Sequence, residues 1–339
     1  MKWVQLPGAG DVPVARSSHT ITAVGDTIYL FGGEHAPRVP IGSDVHAYNL
    51  QERVWRKLQV HGTPPPLRNA HAAAAVGTEL YIFGGRCGIE IGEAALNDLY
   101  KLDTTTATWS IVEPVGETRP PKRSYAAATS AGGKLYVFGG CGEGSSGRLN
   151  DLWQFDPATN RWRQLPSSDA IKGRGGPGFV SVPGALYVVA GFAGQETNDV
   201  HRFDLATETW DCPRCCSAEA PATAHAGCGH ASPVVLPPRS VCAVAMHGCS
   251  SCAHANHIIA SCGEVDPSNE GHAGAGMFSN DSFCMDPACG HWHKLEAGGE
   301  VPAPRGWLAA TACASGLVVH GGNSLTNERL GDMYLLEMH

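Results

Sequence analysis

The stretch GEVDPSNEGHAGAG (263–276) places Glu264, Asp266, Glu270 and His272 within nine residues and follows them with glycines. Carboxylates and an imidazole on a flexible loop are ligands of the hard or borderline kind that divalent cations accept. The same residues also suit an ordinary polar loop, with Asp266 and Ser268 capping a turn around Pro267 and Glu264 paired to a nearby arginine. The residue types leave both readings open.

Arginine is the second chemical signal. Arg16, Arg68, Arg123, Arg174, Arg239 and Arg305 recur at comparable intervals, several just after a proline, as in PPKRSY, LPPRSV and PAPRGW. If they share one surface, they form a site for a sulfate, phosphate or carboxylate. The alternative is structural, with each guanidinium bonded to nearby carbonyls or to an aspartate. A third signal is sulfur. CPRCC (212–216) and CSSCAHANH (249–257) resemble zinc-ligand spacings, and Cys249, Cys252, His254 and His257 could form one site. No phosphate-binding Gly-Lys-Ser/Thr loop, GxSxG or HExxH motif occurs.

The arginines belong to a repeat. Sixteen residues after five of them, an apolar run ends in a small pair: YLFGG, YIFGG, YVFGG, YVVAG and VVHGG. An insertion, HGCSSCAHAN, breaks the count before IIASCG. A second rule links an aspartate to a tryptophan eleven residues later: Asp44–Trp55, Asp98–Trp109, Asp151–Trp162, Asp199–Trp210 and Asp281–Trp292. Each unit reads as four short strands, one after the arginine, one closing on the glycine pair, one after the aspartate and one bearing the tryptophan. A period of 51 to 66 residues, together with this grammar, resembles the kelch family. The resemblance implies an all-β, six-bladed kelch β-propeller, with blades at about 16–60, 68–113, 123–166, 174–216, 239–296 and 305–339 and the whole of 1–339 as one domain. The sixth unit has Asp332 but no tryptophan strand, whereas KWVQL near the N-terminus carries Trp3. Residues 1–8 are therefore expected to complete the last blade and remove an open edge.

In a propeller with strands a to d from the axis outward, the d–a and b–c loops share a face. The repeat arginines and the segments after each glycine pair then meet at one channel mouth. Arg86 joins them, and Arg38 and Arg148 are within reach from their own b–c loops. The longest b–c loop, 264–280, overhangs the same mouth, where function concentrates on a rigid scaffold.

At this loop and at VPAPRGWLAATA…GLVVHGGNSLTNERLGDMYLLE the chain is similar to a narrower group, the plant nitrile-specifier, epithiospecifier and thiocyanate-forming proteins and their kelch relatives. The resemblance implies a non-haem ferrous ion, Fe2+, and breakdown of a thiohydroximate O-sulfate toward nitriles or related products. Its ligand pattern is Glu, Asp four residues on and His four further. Glu264 and His272 match it, Ser268 stands at the Asp position, and Asp266 lies two residues early. The group's arginines and last-blade tryptophan fall near Arg86, Arg305 and Trp307. Two functions follow as expectations. One is a binding module whose arginine mouth holds an anionic small molecule or a protein partner. The other is an iron-dependent lyase.

Bulk properties narrow the partners. A formal net charge of −8 argues against nucleic acid and anionic membranes. There is no apolar run of membrane-spanning length and no signal-peptide core near the N-terminus, which reads as a cytoplasmic or nuclear protein. The thirteen cysteines, odd in number, read as mostly free thiols. The pattern also allows a homodimer.

Overall fold

The computed structural model describes residues 1–88, 94–213, 236, 240–247, 256–266, 276–287 and 290–338. Six sheets surround one axis, each with four antiparallel strands in the order a-b-c-d. Blade 2 shows the pattern: Ala72–Val76, Glu79–Arg86, Ala95–Asp103 and Thr108–Val112. Blade 6 takes its outer strand from the other end of the chain. Lys2–Leu6 runs antiparallel to Arg329–Glu337, with Trp3 opposite Leu336 and only 1% exposed. The expected closure is therefore present, and this strand carries the tryptophan that the sixth unit lacks.

The sequence rules have direct packing reasons. Each glycine pair lies at a break in register between strands b and c, as between Phe83 and Gly85 or His320 and Gly322. Both glycines of a pair adopt positive φ, for example 63° and 97° at Gly32 and Gly33. A Cβ on Gly32 would come within 2.7 Å of the Arg68 carbonyl, and the Gly33 N–H donates to that same oxygen at 3.0 Å. The bulge thus locks one blade to the next, which a side chain would obstruct. Ala190 and Cys262 hold the first position in the same left-handed conformation (φ 54° and 59°).

Each repeat tryptophan packs on the residue before the glycine pair of the preceding blade. Trp109 meets Phe31, Trp162 meets Phe83 and Trp210 meets Phe138, with ring centroids 5.3–5.8 Å apart. Across the seam between blades 6 and 1, Trp55 meets His320 at 5.6 Å. These aromatic contacts bury large apolar area at every described boundary of this type.

The seam has a polar core as well. His19 and His320 share a 2.9 Å hydrogen bond between their rings, and His71 bonds Thr20 at 2.8 Å. Burial, reinforced by the charge of Arg16 or Arg68, holds these imidazoles neutral. His71 and His320 are pushed down to about 3, and His19 lies well below the ordinary histidine range. Among the described residues, no helix is long and apolar enough to cross a membrane.

Two outcomes are expected. Removing residues 1–8 exposes the Arg329–Glu337 strand edge and strips Trp3 from the core, so the melting temperature falls sharply; an unchanged value would contradict the closure. The buried histidines give the pH dependence its sign. Their folded pKa values lie below the unfolded value of about 6.5, so their contribution is complete above that pH and is lost as pH falls toward 3. Each group removes up to about 1.4 kcal/mol per pH unit in that window. Denaturant titrations from pH 7 to 5 measure this slope.

Candidate functional site

The repeat arginines stand at the entrance to strand a, as expected, but they do not form a ring open to ligand. Arg68, Arg123, Arg174 and Arg305 are fully buried, and Arg16 is 2% exposed. Each donates Nε to the carbonyl two residues earlier and Nη1 to the carbonyl of the first small residue of its pair, at 2.9–3.2 Å. Four then grip the repeat aspartate with both nitrogens: Arg68–Asp98, Arg123–Asp151, Arg174–Asp199 and Arg305–Asp332, at 2.5–3.0 Å. The structure thus places Arg68, Arg123, Arg174 and Arg305 in internal grips, and Arg16 on its two carbonyls alone. A bidentate carboxylate satisfies planar guanidinium geometry, and the strand framework excludes other partners. Arg239 lies outside the described residues.

The residue two after the aspartate completes each grip. Trp153 Nε1 donates to Asp151 at 2.6 Å, and His201 Nε2 lies 2.8 Å from Asp199. Tyr100 and Tyr334 lie 5.4 and 5.2 Å beneath the guanidinium carbons of Arg68 and Arg305. Burial would raise the carboxyls of Asp151, Asp199 and Asp332, but the arginine bonds outweigh it and hold all three below the ordinary range.

The mouth is lined instead by the residues that follow the glycine pairs: Glu34, Arg86, Cys141, Phe192, Glu264 and Asn323. Each is bridged to the residue after a repeat arginine, at Ser17, Asn69, Ser124, Gly175, Ser240 and Gly306 respectively. Inside them runs a backbone ring. Ser18 N–H donates to Trp307, Ala70 to Ser18, Tyr125 to Ala70 and Gly176 to Tyr125, at 2.8–2.9 Å. These residues share left-handed φ values of 50–57°. The ring therefore fixes which side chains face the channel.

Charge divides this mouth. Glu34 is buried and satisfied on all sides. It accepts from Arg329 (3.0 Å), Ser17 (3.3 Å), Asn69 (3.0 Å) and the Arg38 N–H (2.8 Å). Burial raises its carboxyl despite the pull of Arg329. On the side of blades 1–3 stand Arg38, Arg86 and Arg148. Arg86 is 3% exposed and donates to the Gly88 carbonyl at 2.8 Å. Arg148 is exposed, with its guanidinium 4.4 Å from the Phe192 ring centroid. Burial raises the Cys141 thiol, and Arg148 and Arg86 pull it back. Burial also raises the Tyr125 hydroxyl, with the charge of Glu34 adding to it and those of Arg86 and Arg38 opposing it.

The side of blades 4 and 5 is acidic. Glu264 is buried at its ring position, and a Cβ on Gly276 would approach its Oε1 to 2.4 Å. Glu196 is 7% exposed, its Oε1 has no protein partner, and burial together with the charge of Asp266 raises its carboxyl. Asp266 is exposed at the end of its strand. Trp307 is half-buried and meets Phe278 edge-on at 5.8 Å. Ser268, Glu270 and His272 lie outside the described residues, as do Cys249, Cys252 and His254. His257 is buried. Among the described residues no three acidic, histidine or cysteine side chains converge as a metal site.

Sequence reasoning thus found Arg86, Glu264 and Trp307 at the mouth and missed Glu34, Tyr125 and Glu196. The signal for Glu34 was available, because the letter after each small pair reads Glu, Arg, Cys, Phe, Glu and Asn around the ring.

Fold and mouth define a kelch-type propeller with a charged axial entrance. The chain belongs to the kelch-repeat family: residues 18–236 match the KLHDC2/KLHL20/DRC7 Kelch-repeats domain. Within that family it is similar along its whole length to an N-(sulfonatooxy)prop-2-enimidothioate sulfolyase of Thlaspi arvense. The two are 32% identical over 364 residues, covering 100% of this chain and 97% of the relative. It is also 28% identical to Kelch domain-containing protein 3 of Bos taurus over 248 residues, 64% of each chain. A Drosophila melanogaster leucine-zipper-like transcriptional regulator 1 homolog is 25% identical over 98% of this chain and 32% of its own length.

Removing one partner of a buried grip strands the other charge. Asp98→Ala or Asp151→Ala is expected to destabilise the fold by about 3–5 kcal/mol, measured by urea denaturation. A loss below about 1 kcal/mol would place the grip among ordinary surface ion pairs.

Proposed function

We propose that the mouth binds an anionic small molecule on its arginine side, and that the ligand is of the sulfated imidothioate class on which the full-length relative acts. The observation that carries this reading is the pair Arg38 and Arg148. Among the described residues neither guanidinium has a carboxylate partner, and Arg148 lies over the Phe192 ring at the rim. Loss of sulfate from such a substrate breaks an N–O bond, and the electron pair leaves on the sulfate oxygen. Guanidinium groups fixed beside that oxygen stabilise the charge as it forms. Trp307 and Phe278 offer apolar surface to the remainder of the molecule.

The acidic side fits a divalent cation by its donor chemistry. The Glu264 carboxylate has room only because residue 276 lacks a side chain, and Glu196 presents an unpartnered oxygen near Asp266. Glu264 and His272, with Asp266 or Ser268 between them, would hold a ferrous ion. When bound, the ion would act as a Lewis acid that polarises the substrate. A second reading, a protein-binding module, draws support from apolar residues exposed in loops of the same face: Val14, Val39, Leu67, Met277 and Leu325.

Two measurements test the proposal. Sulfate release from N-(sulfonatooxy)prop-2-enimidothioate should exceed the uncatalysed rate and fall about 100-fold in Arg148→Ala, the order expected for one anion-stabilising donor. Equal release with and without protein would favour the binding module. Anaerobic ferrous titration should give one equivalent bound to the parent and none to Glu264→Ala. Binding that appears only in Ser268→Asp would mean the natural chain holds its ligand without the ion.

A further inference from the structure

Blade 1 departs from the grip that blades 2, 3, 4 and 6 share. Arg16 and Asp44 have the same separation in sequence as Arg123 and Asp151. Arg16 makes the usual carbonyl bonds, to Val14 and Gly32, both at 2.9 Å. Asp44, however, lies with Lys57 at 2.8 Å and is 53% exposed, with no hydrogen bond to Arg16. A guanidinium that is 2% exposed is left without its carboxylate. A second group at the same place is also unsatisfied. His46 holds the position of His201, two residues after the repeat aspartate, where the imidazole of blade 4 bonds Asp199. His46 is 8% exposed, and its Nδ1 is buried without a partner.

We propose that Arg16 and His46 form a seat for an external carboxylate, in the place that Asp98, Asp151, Asp199 and Asp332 hold in the other blades. Those four pairs define the geometry, a planar carboxylate gripped by Nη1 and Nη2 at 2.5–3.0 Å. The fourth also shows the third contact, an imidazole on the same carboxylate. The local electrostatics agree. Burial outweighs the charge of Asp44 and lowers Arg16 to about 10, and burial together with Arg16 lowers His46. The charged groups around His46 are Arg16, Asp44, Lys57 and Asp11, and Asp11 already accepts the Lys57 N–H at 3.0 Å. A carboxylate entering the seat therefore meets a guanidinium that lacks its carboxylate beside an imidazole at the position of His201, while Lys57 holds Asp44 aside. The site is separate from the mouth arginines Arg38, Arg86 and Arg148.

The test uses formate, the smallest carboxylate, on the full chain. Sodium formate replaces sodium chloride at constant ionic strength while the His46 ring nitrogens are followed by NMR. Saturable shifts at millimolar formate are expected, together with a rise in melting temperature. His46→Phe, which copies the Phe283 of blade 5, should fold normally and weaken the formate response several-fold. Asp44→Ala should keep the parent melting temperature and bind formate at least as well. Acetyl-aspartate amide presents the same group on a peptide frame. Binding of both probes marks a seat open to a partner's acidic side chain, and binding of formate alone marks one sized for a free anion. The proposal is overturned if Asp44→Ala loses as much stability as Asp98→Ala, because Asp44 then sits on Arg16 in solution. It is also overturned if formate and chloride give identical curves.

Discussion

A buried guanidinium at the start of five of the innermost strands, every one described, is the constraint on which the rest of this propeller hangs. Five positive charges inside a protein would be prohibitive without compensation. Each is compensated by two carbonyls fixed by the chain itself, and four by a carboxylate from strand c. The demand runs both ways. The carbonyl contributed by the small pair exists at that place because the pair bulges, and the bulge exists because those residues tolerate left-handed backbone. The repeated letters of the sequence are thus one mechanical part seen from several sides.

That reasoning explains why the fold was legible and the site was not. Arginine, the small pair, aspartate and tryptophan recur because every blade needs them, so repetition exposes architecture. It also misleads, because a repeat arginine that grips its own aspartate, as four of them do, has no spare bonding capacity for a ligand. The arginines that repeat, such as Arg68 and Arg305, are consumed in packing. Those that do not, Arg38, Arg86 and Arg148, stand at the mouth. The closing strand was readable because Trp3 supplied a missing letter. The position of Asp44 was not readable, since its spacing matches that of a paired aspartate.

The mouth gains its character from variation at a fixed address. The letter after each small pair changes from blade to blade while its backbone does not. Arginine in blade 2 and glutamate in blade 5 thereby face one opening from opposite sides without altering the scaffold. Catalysis or binding can diverge there at little cost to stability, as expected when function sits on sites grafted onto a common fold.

The seam between the first and last blades has a temporal consequence. The strand Lys2–Leu6 pairs with Arg329–Glu337, Glu34 pairs with Arg329, and His19 pairs with His320. All three contacts join one segment to another that is translated only after the intervening blades. The early partners, including the apolar face around Trp3, must therefore wait uncovered while the intervening blades are synthesised, and the ring can lock only once the final strand has left the ribosome.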